Sequence, residues 1–156
     1  MKVKSMKALK SKTSLVVSLA ASLALVSVSA VASGDAPKER QALMGNVGAA
    51  TGAGAAMVKG EVEFDAVAAQ LVLRTMNTAG LAFGYMFPEG SETGSNTEAA
   101  PAIWSDRAGF DAAVNKFVTD TSSAAKITDL DSVKAAFGAA TANCGACHKA
   151  YRVKKN

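Results

Sequence analysis

Beyond residue 36, apolar positions recur at spacings of three and four, the period of an α-helix. Leu43, Val47, Ala50, Gly54 and Met57 make one such stripe and predict a helix over residues 37–58. Pro37 suits its first turn. Lys59-Gly60 reads as a basic last turn followed by a stop. A second helix is expected from an N-cap at Asp65, with a stripe through Ala68, Leu71, Thr75 and Ala79 and with Val72 and Met76 beside it. A third follows Ser105 as N-cap, its face carried by Phe110, Ala113, Val114, Phe117 and Thr121. A fourth opens at Thr128-x-x-Asp131, which resembles a capping box. It continues through Leu130, Val133, Phe137, Ala140, Cys144, Cys147 and Tyr151. The pattern predicts an all-α fold. Short connections make helices one and two, and helices three and four, antiparallel neighbours in a four-helix bundle. A long loop over residues 80–104 joins the two pairs, and a loop of that length usually signals function or a crossover.

The first helix contains Gly45, Gly48, Gly52 and Gly54. Each costs about 1 kcal/mol against Ala in a helix. Either a close-packed neighbour requires them or the helix frays.

Composition narrows the class. The chain has 156 residues, 49% hydrophobic and 6% aromatic, with two cysteines and one histidine. That suits one domain and excludes both a disulfide-dense scaffold and a multi-histidine metal cluster. Charge is unevenly placed. Residues 1–14 hold five lysines and no acid, residues 15–32 hold no charge, and the uncharged run ends in Ala30-Val31-Ala32. This is the layout of a secretory signal peptide. The expectation is that residues 1–32 are cleaved and residues 33–156 form one domain outside the cytoplasm. A membrane anchor is the alternative, weakened by four serines in the apolar run. Without residues 1–32, 12 basic residues face 13 acidic ones, a net charge of −1. The apparent basicity of the chain therefore gives no reason to expect nucleic acid.

The chemistry lies in Cys144-Gly145-Ala146-Cys147-His148. C-x-x-C-H is the c-type haem attachment pattern. Positions i, i+3 and i+4 share one helix face. Two thiols one turn apart can add across two vinyl groups, and the adjoining imidazole can reach the iron. Zinc would need ligands beyond these three. A thioredoxin-like pair expects a βαβ setting, and a plain disulfide would leave His148 without a role. Only eight residues follow His148, so any sixth iron ligand must come from upstream.

The chain resembles cytochrome c′, the class II c-type cytochrome family, along nearly all of residues 33–156. The resemblance is carried by Arg40-Gln41-Ala42-Leu43-Met44, Met57-Val58-Lys59-Gly60, Phe64-Asp65, Phe87-Pro88-x-Gly90-Ser91, Ile103-Trp104-x-Asp106, Ala135-Ala136-Phe137 and Cys144-x-x-Cys147-His148-x-x-Tyr151-Arg152. It implies an antiparallel up-down-up-down bundle around one covalent haem c. His148 would be the axial iron ligand, with the other iron face open beneath Met44. It implies that Arg40 and Gln41 lie near the haem propionates and that Arg152 lies on the histidine side. A solvated Arg40, and an Arg152 favoured only by the helix dipole, are the plainer readings. The family also implies a periplasmic protein that binds nitric oxide and carbon monoxide, exchanges electrons with redox partners and is often a homodimer. The alternative keeps the fold and makes Met44 a sixth ligand in a low-spin electron carrier. An enzyme such as a peroxidase is not expected, because the sole histidine is committed to the iron and none is left for acid–base work. Tyr151 reads as a packing residue, and Trp104 as an anchor for the loop.

Overall fold

A computed structural model describes residues 35–153. The segment 1–32, expected to be a signal peptide, lies outside the described residues. Five α-helices occur among those described: α1 (Ala36–Lys59), α2 (Ala66–Phe83), the single-turn α3 (Ala102–Ser105), α4 (Arg107–Thr121) and α5 (Leu130–Tyr151). A 3-10 segment, Ser122–Lys126, continues α4. The four long helices pack in sequence order, and α5 closes the ring against α1. The predicted all-α four-helix bundle is therefore present. No described helix is long and apolar enough to cross a membrane.

Helix ends follow local chemistry. The Asp65 carboxylate accepts from the Ala68 amide at 2.6 Å, as expected for an N-cap. Gly60 adopts φ 76°, and the amides of Gly60 and Glu61 return to the carbonyls of Met57 and Ala56. That is a Schellman closure, in which a left-handed residue favours glycine. Two caps differ from expectation by one residue. Asp106 rather than Ser105 caps α4, accepting from the Gly109 amide at 3.1 Å. The capping box of α5 pairs Asp129 with Ser132 rather than Thr128 with Asp131.

The buried face of α2 is also turned from the expected stripe. Leu73 and Met76 are essentially inaccessible, whereas Leu71 is 62% exposed. Apolar residues lie on both sides of this helix, so periodicity alone could not choose the inner one. On α1 the four glycines leave the helix unbroken. A Cβ at Gly54 would meet Phe137 and Val72, whereas one at Gly45, Gly48 or Gly52 would meet nothing within 4 Å. Only Gly54 is required by packing within the chain.

Two apolar clusters fill the bundle. The larger gathers Val47, Met57, Leu73, Met76, Val133 and Phe137. The smaller is aromatic, built on Phe87, Ile103 and Phe110. The loop between α2 and α4 is far from structureless. Arg40 on α1 reaches into it, and an antiparallel bridge joins Ala99 to Arg152 just beyond α5.

Candidate functional site

A cavity of about 830 Å³ opens among α1, α2, α4, α5 and the crossover loop, and members of both apolar clusters line it. That volume is at the upper end for small-molecule and cofactor sites. Cys144, Cys147 and His148 line it from α5, and Met44, Val47 and Thr51 from α1. Phe83, Phe110, Val114 and Phe117 add apolar surface. An apolar slot with two thiols and an imidazole on one helix fits a haem attached through both sulfurs.

The electrostatics suit that use. Burial pushes both thiols above their ordinary pKa, and Cys144 adds to the effect at Cys147. They are therefore protonated at neutral pH, and S–H is the bond that adds across a vinyl group. Burial, followed by the nearby Arg152 cation, pulls His148 below its usual value, while Glu98 opposes. The imidazole is thus held neutral, the form that ligates iron. Among the described residues no group of three or more His, Cys, Asp and Glu is placed to hold a bare metal ion.

Arg40 is 4% exposed and lines the cavity. Its guanidinium donates to the carbonyls of Met86 and Ser91 and to the hydroxyls of Ser91 and Thr97, at 2.8 to 3.1 Å. It also lies over the Phe87 ring, 4.6 Å from the centroid. It is therefore not a solvated first-turn residue. It ties the loop to α1 and brings a cation to the cavity wall. Gln41 donates to the Ser95 carbonyl at 2.7 Å. Arg152 pairs with Glu98, so it is more than a cation at a helix end. Met44 is half-buried, lines the cavity and packs against the larger cluster. Trp104 donates its indole N–H to the Pro88 carbonyl at 3.3 Å and meets Phe87 edge-on, which is the anchoring expected of it.

Sequence reasoning missed Thr97 and Glu98 as wall residues. Both sit in a polar loop segment, and no local pattern marks them.

Comparison with known proteins agrees with this geometry. The sequence model of a family described as Cytochrome C' matches residues 35–152. Cytochrome c-556 of Agrobacterium fabrum (strain C58 / ATCC 33970) is 42% identical over 120 residues, covering 76% of this chain and 81% of that protein. The structure of cytochrome c' from Rhodopseudomonas palustris superposes with a TM-score of 0.75 at 35% identity, covering 80% of this chain and all of that one. A nitric oxide complex of a mutant cytochrome c prime from Alcaligenes xylosoxidans gives 0.69 at 34% identity, covering 78% and 95%. With its helical bundle, its C-x-x-C-H wall and a family match across the whole described domain, the chain belongs to the cytochrome c′ family and carries covalent haem c.

Proposed function

We propose that this chain is a periplasmic haem c protein whose iron keeps one face open for nitric oxide and carbon monoxide while exchanging single electrons with partner proteins. Cys144 and Cys147 would hold the haem through thioethers and His148 would bind its iron. Bound haem would supply one-electron iron chemistry and a binding site for a diatomic gas. Arg40, Gln41 and Arg152 lie on the cavity rim or wall, where cations and amides favour carboxylates.

One observation carries the open-face reading: beyond Arg40 and Gln41, the part of α1 that lines the cavity, from Met44 to Thr51, carries no ionisable side chain. Met44 packs into the core cluster beside Val47, and the Thr51 hydroxyl is spent on the Val47 carbonyl at 2.8 Å. Nothing between Met44 and Thr51 on that wall offers an acid or a base, so a small uncharged gas is the ligand this stretch suits. The nitric oxide complex of the Alcaligenes xylosoxidans relative supports this, and the c-556 name of the Agrobacterium relative keeps the six-coordinate reading alive. Ferric and ferrous optical spectra of the parent and of Met44→Ala decide between them. The open-face reading expects a high-spin parent and tighter carbon monoxide binding in the variant. A low-spin parent whose methionine–iron charge-transfer band vanishes in Met44→Ala makes the protein a six-coordinate carrier.

A homodimer is part of the proposal. The exposed Gly45 and Gly52 on α1 and the exposed Val67 and Leu71 on α2 leave apolar surface that a second copy can cover. Export removes residues 1–32 in this reading. Intact mass of the exported protein should equal residues 33–156 plus one haem. The haem should survive acid–acetone extraction in the parent and be stripped from a variant carrying both Cys144→Ala and Cys147→Ala. A chain that still begins at Met1 would mark an anchored protein. A parent that loses its haem would end the thioether assignment.

A further inference from the structure

Tyr151 does more than fill space. It lines the cavity one helical turn beyond Cys147. Its hydroxyl donates to the Asp106 carboxylate at 3.1 Å. A Cβ at Gly109 would fall 2.6 Å from that hydroxyl, so glycine is what lets the phenol and the N-cap carboxylate of α4 meet. The Ala100 amide fixes the Tyr151 carbonyl at 3.0 Å. A redox-active ring is therefore held at the pocket wall with a proton acceptor on its oxygen.

The surroundings decide where an electron vacancy could rest. The Tyr151 ring meets Phe110 edge-on at 5.4 Å, Phe110 meets Phe87 at 4.8 Å, and Phe87 meets Trp104 at 5.8 Å. The Arg40 guanidinium lies over both Phe87 and Trp104. A cation over a ring face is attracted to its electrons and opposes removing one. Among the described residues no such cation lies over Tyr151, and loss of its phenolic proton to Asp106 would leave the oxidised ring neutral. Of the two ends of this aromatic chain, the tyrosine end is the one that can be emptied.

We propose that the Tyr151–Asp106 pair is a one-electron donor to the haem pocket, which completes the reduction of a peroxide met by the ferrous protein. Reduction of hydrogen peroxide to two waters takes two electrons and two protons. Bound ferrous haem would supply one of these electrons, and Tyr151 gives the other. The phenolic proton moves to Asp106 and both protons taken up by the peroxide come from solvent, so the products are two waters, ferric haem, protonated Asp106 and a neutral tyrosyl radical. The inference rests on the open iron face proposed above.

The experiment uses ferrous holoprotein carrying Tyr85→Phe, which removes the exposed second tyrosine. Hydrogen peroxide is added, the sample is frozen, and electron paramagnetic resonance is recorded alongside peptide mapping of oxidised residues. A tyrosyl signal is expected, lost in Tyr151→Phe and weakened severalfold in Asp106→Asn, which keeps a good N-cap but removes the carboxylate base. A signal unchanged by Tyr151→Phe, or one arising at Trp104, overturns the proposal. Ferrous protein that fails to bind carbon monoxide instead reveals a closed iron face and a failure of the functional reading. In that case photogenerated tris(bipyridine)ruthenium(III), which needs no open coordination position, supplies the oxidising equivalent. The same dependence on Tyr151 must then appear, and its absence overturns the donor role.

Discussion

Arg40→Met should lower the stability of the holoprotein by about 3 kcal/mol, because several acceptors in the crossover loop lose their donor at once. The Ser91 carbonyl and hydroxyl are buried, and the Met86 carbonyl and Thr97 hydroxyl are half-buried. Methionine fills much of the side-chain volume but satisfies none of them. The melting temperature should fall by roughly 10 °C for a domain of this size. Burial lowers the Arg40 pKa, with Asp35 and Glu92 opposing, so the folded protein bears a cost for this charge that its hydrogen bonds must repay. Arg40→Lys keeps the cation but replaces a planar fork with one ammonium, which cannot reach four acceptors. It should recover less than half of the loss. Hydrogen exchange locates the effect: the amides of Ser91 and Thr97, now closing turns onto Pro88 and Gly94, should exchange faster than those of α2. A melt within about 1 kcal/mol of the parent would mean that water replaces the guanidinium at little cost. The arginine would then serve the cofactor rather than the loop.

The parts legible in the sequence were those whose cause is local. Cys144, Cys147 and His148 sit within one turn of one helix, so spacing alone aimed them at one object, and all three line one cavity. Asp65, Gly60 and the α1 stripe were readable for the same reason. The misses arose where two local answers were nearly equal. Ser105 and Asp106 are both good N-cap residues, as are Thr128 and Asp129. The selected residue in each pair is the one immediately before the helix, with its backbone outside the helical region, at φ −125° for Asp106 and −151° for Asp129. The inner face of α2 was ambiguous because Val67 and Leu71 are as apolar as Leu73 and Met76. What stayed hidden was long-range. The bond from Arg40 to Thr97 spans 57 positions, and that from Arg152 to Glu98 spans 54. Neither leaves a periodic trace. Resemblance placed Arg40 near the cofactor, and the structure adds that most of its donors hold the loop forming the cavity's rim.

Gly54→Leu should be nearly as costly, for the opposite physical reason: too many atoms rather than too few bonds. A Cβ there would lie 2.8 Å from the Phe137 Cδ2 and closer still to its Cε2, with a Val72 methyl 3.1 Å away. Phe137 is buried on α5 and Val72 on α2, so neither can swing into solvent. Gly54 is thus a point where α1 meets both α2 and α5 closely at a single Cα. Leucine gains about 0.8 kcal/mol of helix propensity over glycine, but forcing a side chain into a filled core typically costs about 1–3 kcal/mol and sometimes more. With two buried side chains struck at once the upper end of that range applies, and the expected net loss is about 2 kcal/mol, read as a drop in the denaturant midpoint. Because the helices can relieve the clash only by spreading, the variant should also disturb the cavity wall one and two turns away at Thr51 and Val47, shifting the haem absorption bands. The same substitution at Gly52, whose Cβ would meet nothing within 4 Å, provides the contrast. There the propensity gain should stand alone and the monomer should become slightly more stable. If Gly52→Leu is the more damaging change, the exposed glycines of α1 serve a contact with another molecule, and the proposed second copy gains its first direct support.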